Sequence, residues 1–413
     1  MQETMLKVIL AAALAANAAA LFGTPAVSNV ELSQSDCGMV TVKYDLSEDA
    51  IVTMDLLVGG ERMNSSKLVG DVHQLVAAGT GRCAYFRPDV EVEGSSSVSL
   101  PTLAVNVNTW TTNSPPDYMS VDLGRSGLVR YYVSTNDLPY PVVGDHYRKS
   151  AILFRRIPAK GVTFNMGSPS GEPNRKTNED FHEVTLTNDY YMAVFPITQG
   201  QWRNAVLSDN VADMRGGLAS TSAQHQDDGI GPICPVDNCS SYYIWGRDHP
   251  NDPTSRWFCE SKMWTALFKT SSGFSRARLP TEAEWEFACR AGEGDARYSP
   301  SDVDDIAWHK GNSDGATHPV GLKEPNAWGL YDMLGNVWEI CSDRYQANLG
   351  TSAQTAPFYP HKGCDKVCRG GGYDEDATGI RNARRMRAFS NDTAAGSNTR
   401  TPHCGFRIII DLD

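Results

Sequence analysis

The sequence predicts two folded parts: an all-β sandwich over residues 25–145, then an α+β domain with little regular secondary structure over residues 150–413. Three observations carry this expectation. Short segments such as Val40-Thr-Val-Lys-Tyr-Asp-Leu46 alternate apolar and polar residues with the period of two that a half-buried strand requires. Past a junction at 136–150 the chain becomes irregular and rich in Gly, Trp and Asn, with only two clear helix starts. Within that half, Gly329-Leu-Tyr-Asp-Met-Leu-Gly-Asn-Val-Trp-Glu339 packs glycines, aromatics, an amide and two carboxylates at spacings that suit neither helix nor strand.

The elements follow in order. Residues 1–20 read as an export signal peptide: Lys7 is basic, Val8 to Ala16 is an alanine-rich apolar run, and Ala16-Asn-Ala18 and Ala18-Ala-Ala20 supply small residues for cleavage. The run is too short to span a bilayer, so the mature chain is expected without a membrane span, as a secreted, periplasmic or cell-surface protein. Ile51 to Val58 is a strand closed by the turn Gly59-Gly60, and Ser97 to Val107 and Leu128 to Val133 continue the pattern. Short strands separated by polar turns predict a sandwich of immunoglobulin-like type, a spacer or interaction module with no catalytic constellation. In the second part, Thr198 and Gln201 form a capping box before one helix, and Thr281 and Glu284 form another. Trp285, Ala288 and Cys289 give the second helix its buried face. Glu282, Glu284 and Glu286 sit near its positive N-terminal end, which explains the acidic cluster without catalysis.

Bulk properties narrow the function. Apolar residues make up 41% of the 413 positions and charged residues 21%, enough to build a core without general disorder. A net charge of −12 argues against nucleic acid and anionic membrane as partners, because both select basic surfaces. The ten cysteines fit an oxidising compartment. Cys37 and Cys83 share the first domain and are candidates to pair. A zinc site from Cys234, Cys239, Cys364 and Cys368 lacks the usual two-residue spacing.

Six motifs in order then carry a family resemblance: Phe164-Asn-Met-Gly167, His182-Glu-Val-Thr-Leu186 with Pro196-Ile-Thr198, Arg278-Leu-Pro-Thr-Glu-Ala-Glu-Trp285, the Gly329 to Glu339 segment, Arg369-Gly-Gly-Gly-Tyr373 and Gly405-Phe-Arg407. Together they resemble the formylglycine-generating enzyme, or sulfatase-modifying factor, family over residues 150–413. The resemblance implies a variant of the C-type lectin fold. It also implies oxidation of a protein cysteine to formylglycine with oxygen and copper(I), held by two thiolates after the glycine motif. Here those positions are Glu375 and Ile380, neither of which can be a thiolate ligand. Gly372 replaces the motif's serine, and Ile340 replaces the aromatic after the Trp-Glu pair. Cys364, Cys368 and Cys404 lie nearby in sequence, where a disulfide is a more economical expectation than a relocated copper site. The scattered histidines, His309 and His318 included, lack the spacing of the family's iron-dependent branch.

The sequence therefore predicts an exported, non-catalytic scaffold that binds a protein, peptide or glycan. An oxidoreductase of the formylglycine-generating type with an altered site is the alternative. Glu375, Asp376, Arg381 and Arg385 are the expected ligand-binding residues, because arginine forks recognise carboxylates and phosphates. A structural calcium is expected at the backbone of Leu334, Gly335 and Val337 with the Glu339 carboxylate, since calcium takes six to eight oxygens. Copper is not expected.

Overall fold

A computed structural model describes residues 7–8, 25–87, 103–123, 127–205, 231–237, 277–299, 302–359, 366–388 and 403–412. The expected export leader lies outside them, except for β1 (Lys7–Val8), which pairs with Leu32 and Ser33. The chain divides into two compact units: Met1–Met119 with Val129–Val142, and Ser120–Leu128 with Val143–Leu412. Among the described residues, no helix is long and apolar enough to cross a membrane.

The first unit is built from antiparallel strands. They are β2 (Val27–Gln34), β3 (Val40–Leu46), β4 (Ala50–Val58), β5 (Glu61–Met63), β6 (Val69–Gly70), β7 (Gln74–Val76), β8 (Gly79–Phe86) and β9 (Leu103–Trp110). One sheet runs β1-β2-β3-β8-β6; in the other, β4 pairs with β5, β7 and β9. The alternation read in β3 is real, since Val40, Val42, Tyr44 and Leu46 are buried and Lys43 is exposed. They join Val52, Met54 and Leu56 of β4 and Ala84 and Phe86 of β8 in one core shared by the two sheets. Gly59 and Gly60, both with positive φ, make the two-residue turn that pairs Val58 with Glu61. β10 (Tyr118–Asp122) and β11 (Val129–Tyr132) follow.

In the second unit, β12 (Ala151–Ile157), β15 (Tyr190–Ala193), β22 (Ile409–Asp411) and β16 (Ala277–Arg278) lie side by side. β13 (Thr163–Met166), β14 (His182–Thr185) and β18 (Gln354–Thr355) form a small sheet. The sheet that positions the site runs β20 (Arg385–Ala388), β19 (Lys366–Arg369), β17 (Trp338–Arg344), β21 (Cys404–Gly405). Among the described residues the α-helices are α1 (Gln199–Ala205), α2 (Glu282–Arg290) and α3 (Val303–Ile306). Both capping boxes form. The Thr198 hydroxyl accepts from Gln201 N at 3.1 Å while Thr198 N donates to Gln201 Oε1 at 3.0 Å. The Thr281 hydroxyl accepts from Glu284 N at 3.2 Å while Thr281 N donates to Glu284 Oε2 at 2.8 Å. α2 buries Trp285, Ala288 and Cys289 in the main core, against Met333, Leu334, Cys341, Val367 and Ile409.

Candidate functional site

The Gly329 to Glu339 segment is a wound loop that delivers the chain into β17. Gly329, Asp332, Gly335 and Asn336 all adopt positive φ. A Cβ on Gly335 would lie 2.3 Å from the Trp308 carbonyl oxygen, so backbone contact as well as φ demands glycine. Asn336 is fully buried and stitches the winding together. Its side chain accepts from His318 N and donates to His318 O, both at 3.0 Å, and its backbone carbonyl accepts from Tyr373 N at 2.9 Å. Asp332 accepts from Gly321 N at 2.7 Å, and burial pushes its carboxyl up to about 6.

The Glu339 side chain does not fit the calcium expectation. Its Oε2 accepts from Arg407 Nε and from Trp285 Nε1, both at 2.7 Å, and its Oε1 accepts from Arg407 Nη2 at 2.7 Å. Both oxygens serve a buried guanidinium, whose positive charge would oppose a divalent cation at Leu334, Gly335 and Val337. The loop is closed by an ion pair instead.

Arg381 and Arg385 are likewise internal, which corrects their expected place on a ligand face. Arg381 reaches Glu179 at 2.6 Å and Glu172 at 2.7 Å. Arg385 binds Glu282 Oε1 at 2.5 Å and Oε2 at 2.8 Å, and donates to the Asn178 and Gln346 carbonyls. Glu286 joins Arg290 and Arg369. Burial alone would raise the Glu286 carboxyl, but the two arginines outweigh it and hold it below its ordinary range. The acidic cluster on α2 is thus structural, through arginines far away in sequence as well as through the helix end.

Asp376 is exposed and Glu375 half-buried, beside the glycine motif. Gly370 and Gly371 have positive φ, and a Cβ on Gly372 would come within 2.9 Å of the Trp338 ring. The tight path brings Gly372 against Trp338, and Tyr373, Asp374 and Glu375 follow it directly. Arg384 lies over the Trp338 ring at 5.7 Å and meets Glu375 at 3.2 Å. Lys310 meets Asp376 at 3.3 Å. His403, which precedes β21, completes the cluster. Its Nδ1 is 2.5 Å from the Tyr373 hydroxyl and its Nε2 is 3.6 Å from Asp374, while its backbone holds a left-handed φ of 67°. Sequence reasoning missed His403. Its position directly before Cys404-Gly-Phe-Arg407 was the available signal, and only the β17–β21 pairing brings it to Tyr373.

The family's own profile, the sulfatase-modifying factor enzyme 1-like domain, matches residues 155–412. The chain belongs to the sulfatase-modifying factor family. The formylglycine-generating enzyme of Thermomonospora curvata is 33% identical over 156 residues, covering 32% of this chain and 49% of that protein. The chaperone protein LppX of Paenibacillus barcinonensis is 28% identical over 190 residues, covering 40% of this chain and 66% of that protein. The structure of PvdO from Pseudomonas aeruginosa aligns with a TM-score of 0.49 at 24% identity, over 63% of this chain and 94% of that one. The chain therefore spans about half to two thirds of the length of these two relatives.

Within this sulfatase-modifying factor domain, the positions where the resemblance implies two thiolates hold other chemistry. Ile380 is fully buried and packs beneath Gly371, and Glu375 is paired to Arg384. Cys37 and Cys83 are separate thiols, hydrogen-bonded to the Ser35 hydroxyl and the Gly81 carbonyl. Cys239, Cys259 and Cys364 lie outside the described residues, and with Cys239 and Cys364 goes half of the zinc set considered above. His309 is held by Asp304 at 2.6 Å, and His318 stacks on Trp308. Neither is placed as part of a metal cluster: among the described residues no group of three or more His, Cys, Asp or Glu gathers to hold a metal.

Proposed function

We propose that this is an exported binding protein whose sulfatase-modifying factor domain recognises a protein, peptide or glycan and does not oxidise cysteine. One observation carries the reading: Glu375, tied to Arg384, and the buried Ile380 stand where the family's oxidases need sulfur. Soft thiolates select copper(I), and a carboxylate and an alkyl side chain cannot replace them. The binding face is the mixed-charge cluster of Asp374, Glu375, Asp376, Arg384 and His403 around Trp338. Its donors and acceptors suit a polar ligand, and the buried Trp338 ring supports them from within. The leader at residues 1–20 supports export, and the first unit serves as an immunoglobulin-like spacer.

Calorimetry of the full chain against glycan and peptide panels tests this reading. A ligand that binds the native chain should lose at least tenfold in affinity with Asp374→Ala and with His403→Ala. Affinity unchanged in both variants would remove this face from the binding role.

A further inference from the structure

We propose that Cys368 and Cys404 are the site of a buried disulfide that fastens β21 to β19, and so fixes the two strands from which the ligand face grows. Their sulfurs lie 3.6 Å apart and both residues are fully buried. The register explains the meeting. Cys368 on β19 pairs with Ile340, and Cys404 on β21 pairs with Trp338, so the two cysteines flank β17 two positions apart. Residues two apart on a strand share a face, and their ladder partners share it with them. Both sulfurs therefore lie on one side of the sheet. At 3.6 Å no atom fits between them, and closing by about 1.6 Å brings them to a disulfide's bond length of about 2.0 Å. Cys289 and Cys341, also buried, turn to oxygens instead: the Asn382 amide oxygen at 3.3 Å and the Glu339 carbonyl at 3.9 Å.

The bond secures a short element. β21 is two residues long and pairs with Trp338 and Glu339. His403 directly precedes it, while β19 runs through the glycine motif to Tyr373 and Asp374. The two cysteines are 36 positions apart, and a link between them removes that loop's freedom from the unfolded chain. Two S–H bonds break and one S–S bond forms. The two protons and two electrons pass to a small-molecule disulfide of the glutathione class, which becomes two thiols. Burial pushes the Cys368 thiol well up, and the thiolate is the attacking species. Exchange therefore takes place before β21 docks, and the finished bond is closed off from reductant. Its use at the ligand face rests on the face proposed above; the bond itself does not.

The test is cell-free synthesis of the full-length chain in oxidised glutathione, alkylation of the soluble product in denaturant without reductant, and peptide mass mapping. A peptide pair joining Cys368 to Cys404, lighter by two hydrogens than the two thiol peptides, is expected. Alkylated Cys368 and Cys404 would overturn the proposal, as would either one joined to another cysteine, Cys364 included. Product made in oxidised glutathione should melt about 5–10 °C above product made in reduced glutathione. Cys368→Ala and Cys404→Ala should each lose most of that difference, and Cys37→Ser should keep it. The full difference persisting in both alanine variants would overturn the clamp. If neither alanine variant folds, the peptide map of the native chain decides. A chain that carries the cross-link yet binds no glycan or peptide retains the disulfide and loses the ligand face.

Discussion

Arg381 shows how a residue's role changes once its neighbours are known. In sequence it sits among charges after the glycine motif and looks available to a ligand. In the fold its guanidinium is closed off by Glu179, Glu172 and the Ser168 hydroxyl. Removing one partner from such a buried pair strands the other charge, a cost of about 3–5 kcal/mol. Arg381→Ala should therefore lower the unfolding free energy by that order in urea unfolding, with no selective effect on ligand binding. A variant as stable as the native protein would return Arg381 to the surface role.

At the scale of elements, α2 is the best test of local sequence logic. Thr281→Ala removes the hydroxyl that accepts from Glu284 N and should cost about 1 kcal/mol, read in the same unfolding measurement. The alternation of β3 and both capping boxes were legible because each depends on residues within a few positions. The partners of the arginines were not: Arg381 and Glu179 are 202 residues apart, and Arg407 and Glu339 are 68 apart. The same limit hid His403 from Tyr373. The wound loop was recognisable as irregular, yet its carboxylate drew a cation reading because Arg407 joins it only through the pairing of β17 with β21. Glu375 and Asp376 were legible as charged neighbours of the glycine motif because they follow it directly in sequence.

For the whole molecule, buried carboxyls set a pH dependence. Burial pushes Asp343 up to about 7, even though it accepts from Tyr359 N and Glu282 N, and pushes Asp332 up to about 6. Unfolded aspartate titrates near 3.9, so the folded state binds more protons between about pH 4 and pH 7. These two groups contribute stability that is fully present below about pH 4 and is lost as pH rises through 6 to 7. The melting temperature should accordingly fall between pH 5 and pH 8, and Asp343→Asn should flatten that slope; a slope unchanged in the variant would assign it elsewhere. Because Arg407 satisfies Glu339, a calcium chelator should leave the melting temperature unchanged, and a fall on chelation would restore the cation at the wound loop.

The central claim is that the family's scaffold persists here without its cysteine-oxidising chemistry. The most direct measurement is incubation of the full chain with a Cys-X-Pro-X-Arg peptide, oxygen and copper(I), followed by mass spectrometry of the peptide. Unmodified peptide cysteine, beside full conversion by a formylglycine-generating enzyme run in parallel, is the predicted result. A formylglycine product would contradict the account.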